Sequence, residues 1–137
     1  MSYLSDIKSY WQATAALNDA IPVTKVFVGL QPSRAEFPYV VITPISTTVQ
    51  PTTSAGYVST YSFQISVFGG VADADGFLAL VDDIAGQFDY KTISASTISC
   101  ERSNGPVLSV DQSTPQKVYQ ATVDYDWLCN RSLPDVV

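Results

Sequence analysis

The chain contains no histidine. That removes the usual general base, the Ser-His-Asp and Cys-His arrangements, and the commonest metal ligand. Charge is also scarce: 15% of the 137 residues are charged, with 7 basic against 13 acidic and a net charge of −6. Affinity for nucleic acid is dominated by phosphate neutralisation, which needs clustered Lys and Arg. The bases here are scattered singly, which argues against tight DNA binding but allows an acidic surface that DNA slides past. No apolar run approaches the ~18 residues that span a bilayer. The opening MSYLSDIKSYWQ lacks a basic stretch followed by an apolar one, so no secretion leader is expected. Cysteine is limited to Cys100 and Cys129. Without a secretion signal both are expected as reduced core thiols, and Asn130-Arg131-Ser132 as a chance match to a glycosylation sequon.

What is present is an apolar fraction of 46% in a chain long enough to bury its own core, so residues 1–137 are expected to form one domain. With few charges, the surface must be built from Ser, Thr, Gln, Asn and apolar groups, a composition suited to lasting protein contacts. Tyr3, Ile7, Tyr10, Trp11 and Leu17 recur at helical spacing, predicting a helix over 2–18 that Asn18 and Ile21-Pro22 end. Residues 25–29 read as a short strand. Residues 37–49 are β-rich, and Pro38 and Pro44 within them predict an edge position or a bend at Pro44. Residues 50–56 read as a polar loop. In 57–68, Tyr57, Ser59, Tyr61, Phe63, Ile65 and Val67 alternate with Val58, Thr60, Ser62, Gln64, Ser66 and Phe68, the pattern of a half-buried antiparallel strand. Phe77, Leu80, Val81, Ile84 and Phe88 mark the apolar stripe of a helix over 73–88 with Asp73 as its N-cap. Two shorter β segments, 92–101 and 106–111, flank a turn expected at Asn104-Gly105-Pro106. A second long strand covers 117–129, with Tyr119, Ala121, Val123, Tyr125, Trp127 and Cys129 on one side and Gln120, Thr122, Asp124 and Asp126 on the other. Residues 130–137 are expected as an extended tail. The sum is α+β: a mostly antiparallel sheet with one or two helices packed on one face.

Few residue groups offer chemistry. Asp124 and Asp126 share a strand face ~6.6 Å apart, a spacing open to a paired-carboxylate site or hard-metal ligands, and equally to a solvated face or the wall of an oligomer's channel. Asp82 and Asp83 are adjacent on a helix and point ~100° apart, as surface charges do. Asp73-Ala-Asp-Gly76 lacks the remaining ligands of a calcium loop and reads as helix capping. Ser5-Asp-Ile-Lys8 matches the Ser-x-x-Lys box of penicillin-recognising enzymes without the accompanying boxes. No phosphate-binding or dinucleotide fingerprint occurs. Tyr57, Tyr61, Phe63, Tyr119, Tyr125 and Trp127 sit at strand period without basic neighbours, suiting core packing or a subunit interface better than base stacking.

The order of elements carries a resemblance. A short N-terminal helix precedes a β segment centred on Phe37-Pro38-Tyr39-Val40-Val41-Ile42. A polar loop follows, then Ser62-Phe63-Gln64-Ile65-Ser66-Val67-Phe68, a helix from Phe77 to Phe88, a β region, and Tyr119-Gln-Ala-Thr-Val-Asp-Tyr-Asp126. Over roughly residues 3–131 this resembles the tail-terminator, or tail-completion, proteins of long-tailed phages. The resemblance implies a virion protein of the tail or neck, assembled in the host cytoplasm as a ring, typically a hexamer, at the head-proximal end of the tail tube. Such a ring stops tube polymerisation and joins tail to head, with the tail tube protein and a head–tail connector as partners. DNA passes through it unbound. No catalytic residue and no cofactor are implied. Asp82, Asp83, Asp124 and Asp126 are then the candidates to line the channel, and 50–56 or 130–137 to reach a neighbour.

Three other readings stay open on the residues. A head–tail connector or other neck protein shares the setting. A small ligand- or peptide-binding module would hold its ligand on an aromatic-lined sheet. A carboxylate enzyme built on Asp124 and Asp126 would need a buried, raised-pKa acid beside a cleft.

Overall fold

The computed structural model describes residues 3–29, 37–53, 56–69, 74–111 and 118–132. The first helical stretch is two helices, α1 (Tyr3–Ala13) and α2 (Ala15–Ala20), not the single helix its periodicity predicts. Thr14 divides them with extended backbone, φ −96° and ψ 108°. Its hydroxyl donates back to the Tyr10 carbonyl at 2.7 Å, the local side-chain bond by which Thr competes with continued helix. The break lets Ile7 and Trp11 from α1 and Leu17 from α2 reach the same core, all 0% exposed. After α2 the chain ends its helical run as expected: Asn18 Oδ1 accepts the Val23 N–H at 3.0 Å, and Pro22 leads into a single 3-10 turn.

Five strands form one sheet in the order β1-β2-β3-β5-β4. They are β1 (Val26–Val28), β2 (Tyr39–Thr53), β3 (Gly56–Gly69), β4 (Thr97–Asp111) and β5 (Val118–Ser132). β1 runs parallel to β2, and all other neighbours are antiparallel. Helix α3 (Ala74–Gly86) crosses between β3 and β4. It carries the expected stripe, with Phe77, Val81, Ile84 and Ala85 buried. The predicted cap, Asp73, lies outside the described residues.

All three helices cover one side of the sheet. Their apolar stripes meet Phe63, Ile65 and Val67 of β3 and the alternate residues Tyr119 to Cys129 of β5 in one cluster. Phe88 sits at its centre, with ring centroids 5.3 Å from Tyr10, 5.7 Å from Tyr125 and 6.3 Å from Phe63. Indole and phenol groups that enter this core keep polar partners: Trp11 Nε1 donates to the Ile21 carbonyl at 2.8 Å and Trp127 Nε1 to Thr97 Oγ1 at 2.9 Å. Cys100 and Cys129 are both buried thiols that form no disulfide, as expected.

Three boundaries differ from the sequence reading. Within the expected loop 50–56, residues 50–53 and 56 are strand: Gln50 pairs with Val58, Pro51 with Tyr57 and Thr53 with Gly56, which extends the β2–β3 pairing; residues 54 and 55 lie outside the described residues. Pro51, Thr52 and Thr53 look loop-like, yet each can extend, and pairing rather than composition decides. Asn104-Gly105-Pro106 is not a turn between two strands but an irregularity inside one, flanked by register shifts from Arg102 to Val107. Gly105 has φ +99°, and a Cβ there would stand 2.4 Å from the Thr122 carbonyl oxygen. Glycine therefore lets β4 buckle against β5 without parting from it. The predicted tail begins later, because β5 continues through Ser132 opposite Gly56. Pro44 behaves as expected: the register shifts between Pro44 and Ser46, and β1 flanks β2 only at Val40–Ile42.

Candidate functional site

The helix-free side of the sheet is the one face whose composition is not explained by the core. Strand alternation places Ser62, Gln64 and Ser66 of β3 beside Thr122, Asp124 and Asp126 of β5, each half-buried apart from Ser66 at 5% exposed. Register sets the pairs directly. Asp126 lies across from Ser62, whose hydroxyl donates to Asp126 Oδ1 at 2.7 Å. Asp124 lies across from Gln64, whose Nε2 donates to Asp124 Oδ1 at 3.0 Å, and Ser66 Oγ donates to Gln64 Oε1 at 3.3 Å. On the other flank, β4 sets Glu101 opposite Asp126 and Asn104 opposite Asp124.

Two carboxylates, Glu101 and Asp126, thus face each other across adjacent strands, an arrangement that costs a few tenths of a kcal/mol unless solvent or a partner relieves it. Among residues whose side chains are described, no Lys or Arg lies on this face. Arg102 comes from the adjacent position but turns to the helix side, where its Nε donates to Asp89 Oδ1 at 3.1 Å and a second nitrogen pairs with Asp89 Oδ2. Among the described residues the face is therefore acidic, hydroxyl-rich and without a cationic anchor.

Asp82 and Asp83 stand elsewhere. Both are exposed on α3, on the side of the helix away from the sheet. The four acidic candidates do not converge: Asp124 and Asp126 share the open face with Glu101, which the sequence reading missed, while Asp82 and Asp83 decorate the opposite surface of the protein. A single wall can carry one pair or the other.

The arrangement has little of a catalytic centre. Asp124 and Asp126 are each tied to a separate donor rather than aimed at a common point, and among the described residues no group of three His, Cys, Asp or Glu could hold a metal. Phe63, Tyr119, Tyr125 and Trp127 are buried in the helix-covered core, and Tyr61 stacks on Tyr3 at 4.2 Å. Tyr61, Phe63, Tyr119, Tyr125 and Trp127 therefore do not line an open binding surface; the side chain of Tyr57 lies outside the described residues.

One ionic cluster escaped the sequence reading because its members are far apart in the chain. Tyr125 Oη donates to the Ala85 carbonyl at 3.0 Å and lies 2.9 Å from Asp89 Oδ1, which also receives Arg102. This fastens the end of α3 to β5 and β4. Burial, then the hydrogen bond to Asp89, raises the Tyr125 pKa strongly above 10.0. Burial above all pushes the Cys100 thiol up to about 12, with Asp89 the next cause. In both groups the fold favours the neutral form.

A second missed feature is apolar. At one end of the open face Tyr39, Val41 and Phe68 form a satellite cluster backed by Phe27. Tyr39 stacks on Phe68 at 4.8 Å and on Phe37 at 5.6 Å. A cavity of about 420 Å³ opens beside them toward Val110, Val118 and Gln120. The signal was present: Phe37, Tyr39 and Val41 alternate, and Phe68 falls on the polar side of its strand.

With fold and face in view, comparison with known proteins is decisive. The chain matches the family model described as "Tail completion protein gp17" over residues 9–130. The chain belongs to that family. No curated protein matches it significantly. A chain from the structure "Virion of native gene transfer agent (GTA) particle" has the same fold, with a TM-score of 0.67 at 13% identity, covering 90% of this chain and 91% of that one. The tail completion protein is accordingly a structural protein of phage tail assembly, located in the virion. No helix among the described residues is long and apolar enough to cross a membrane.

Proposed function

We propose that this tail completion protein assembles as a ring of six copies on the head-proximal end of the tail tube, where it ends polymerisation and presents a surface to the head. Membership of the tail completion family over residues 9–130 carries the reading. The face geometry supports it. A ring through which a genome passes needs a wall that offers phosphates no purchase, and the open sheet face is acidic, short-chained and without a described cation. In this arrangement Glu101, Asp124 and Asp126 line the passage, the helices lie outside, and repulsion keeps DNA moving. Asp82 and Asp83 then face outward. The mechanism is geometric: a ring matching the tube's symmetry covers its growing face, and no bond is made or broken.

Purified tubes with open ends test the reading. Adding the protein should halt further elongation and leave an annular density at one end in negative-stain images, with about six copies per tube. Continued growth at saturating protein would refute it. Replacing both Asp124 and Asp126 with Lys should leave ring assembly intact and slow release of the genome through the assembled particle. The head–tail connector reading predicts a different outcome, in which the protein binds filled heads but not bare tubes.

A further inference from the structure

Resting on the ring reading, we propose that neighbouring copies join through their sheets, the β4 margin of one chain pairing antiparallel with the β2 margin of the next. The sheet order leaves a strand margin at each side. On the β2 side, β1 occupies only Val40–Ile42, extended by the Gly29 N–H donating to the Ile42 carbonyl at 2.8 Å. Beyond Pro44, β2 has no strand on that side among the described residues. On the β4 side the first half is covered: Tyr90, with φ 58°, donates its N–H to the Cys100 carbonyl at 2.8 Å, and Arg102 is drawn to Asp89. From Val107 to Asp111 no described residue pairs with the far side of β4.

These margins largely lack the usual protection of exposed strands, which is charge, above all Lys: residues 45–50 (ISTTVQ) carry none and Val107–Asp111 only the terminal Asp111. Ile45 and Val49 are each 55% exposed. On β4, Val107 is 50% exposed and Leu108 and Val110 37% each. Pro44, Pro51 and Pro106 flank the two open stretches and do not interrupt them.

Direction selects the pairing. β2 and β5 run one way, β3 and β4 the other. A copy shifted along the sheet therefore sets β4 antiparallel to the next β2, a heterologous contact that builds rings. Pairing either margin with itself requires a two-fold axis and closes a dimer. Position adds a further constraint. The open part of β2 lies level with Asp126 to Asn130 of β5, and that of β4 level with Val118 to Thr122. Bringing them together offsets each copy by about 6–8 residues, or ~20–27 Å along the strands, over a width of ~19 Å for four strands. The strands are then inclined by roughly 45–55°, near the 35–45° at which sheets close into barrels.

The test uses tail particles assembled with substituted protein. Val49 and Leu108 both occupy helix-side register positions, and the native Cys100 and Cys129 are buried and do not compete. A V49C/L108C chain treated with a short bis-maleimide should give a ladder of multimers on a denaturing gel, whereas V49C or L108C alone should stay monomeric. Dimers from a single variant, or no multimers from the double variant in tails that retain their annular end, would overturn the proposal while leaving the ring intact. Tails with one copy of the protein each would remove the ring reading and this proposal with it. Should the double variant fail to incorporate, Val49→Lys and Leu108→Lys separate folding from pairing: each should keep the parent's circular dichroism and melting temperature and lose incorporation into tails. Undiminished incorporation of both would overturn the proposal.

Discussion

β3 and β5 each have two sides, and the same two strands are used in opposite ways. On the helix side Phe63, Tyr125 and Trp127 are 0% exposed; Phe63 stacks on Tyr125 and Trp127 packs against Tyr61. On the other side Ser62, Gln64, Asp124 and Asp126 touch mainly across the strand pair through hydrogen bonds. A residue shifted by one position along either strand exchanges one environment for the other. The helix side therefore determines whether the chain folds, and the open side is free to vary in what it presents to DNA or to neighbouring proteins.

The sharpest way to break that division is to cut into the helix side. Trp127→Ala removes a ring packed against Tyr61 and Tyr3 and an indole bonded to Thr97, and should cost about 3–5 kcal/mol in urea unfolding. Gly105→Ala comes next. Its Cβ meets backbone rather than a movable side chain, at a φ that L-residues rarely adopt, so a loss of about 1–3 kcal/mol is expected. Tyr125→Phe tests the fastening of α3. It deletes one hydroxyl between Ala85 and Asp89 and should cost about 1–2 kcal/mol.

The same cluster predicts how stability depends on pH. Tyr125 and Cys100 both have folded pKa values above their ordinary ones of 10.0 and 9.0. The folded chain then holds protons that the unfolded chain gives up. Stability should be unaffected by these groups below pH 9.0 and should fall as pH rises from there toward about 12, the folded value for Cys100. Cys100→Ala should flatten that decline, and a melt series from neutral to alkaline pH reads it. Asp126→Asn is expected to have the smallest effect. It keeps an acceptor for Ser62 and relieves the repulsion with Glu101, so unfolding should move by less than ~0.5 kcal/mol. A large loss there would mean that the open face contributes to folding after all.

The features legible in the sequence were those with a clean period. β3, β5 and α3 each bury one side of a regular alternation, and their apolar residues repeat at 2 or 3.6 residues without interruption. The segments that escaped were those where a local signal competed with a long-range one. Asn104-Gly105-Pro106 has the composition of a turn, but β5 holds the chain straight through it. Residues 50–53 have no apolar alternation, and they pair because β2 and β3 are already in register beneath them. The break at Thr14 depends on one hydroxyl finding one carbonyl. Asp124 and Asp126 were visible as a pair because they are two apart on a strand. Glu101 joined them only through β4–β5 register, and nothing local indicated that Arg102 would turn away from them toward Asp89.

The two tryptophans have a consequence for how the protein can be watched. Trp11 sits in α1 and Trp127 in β5, both 0% exposed and both within the seam between helices and sheet. Their emission should be blue-shifted in the native chain and should redden when the helical layer lifts from the sheet. No indole lies on the open face, so contacts made there should leave the spectrum almost unchanged. The chain thus carries an intrinsic optical reporter that separates loosening of the fold from docking on its surface.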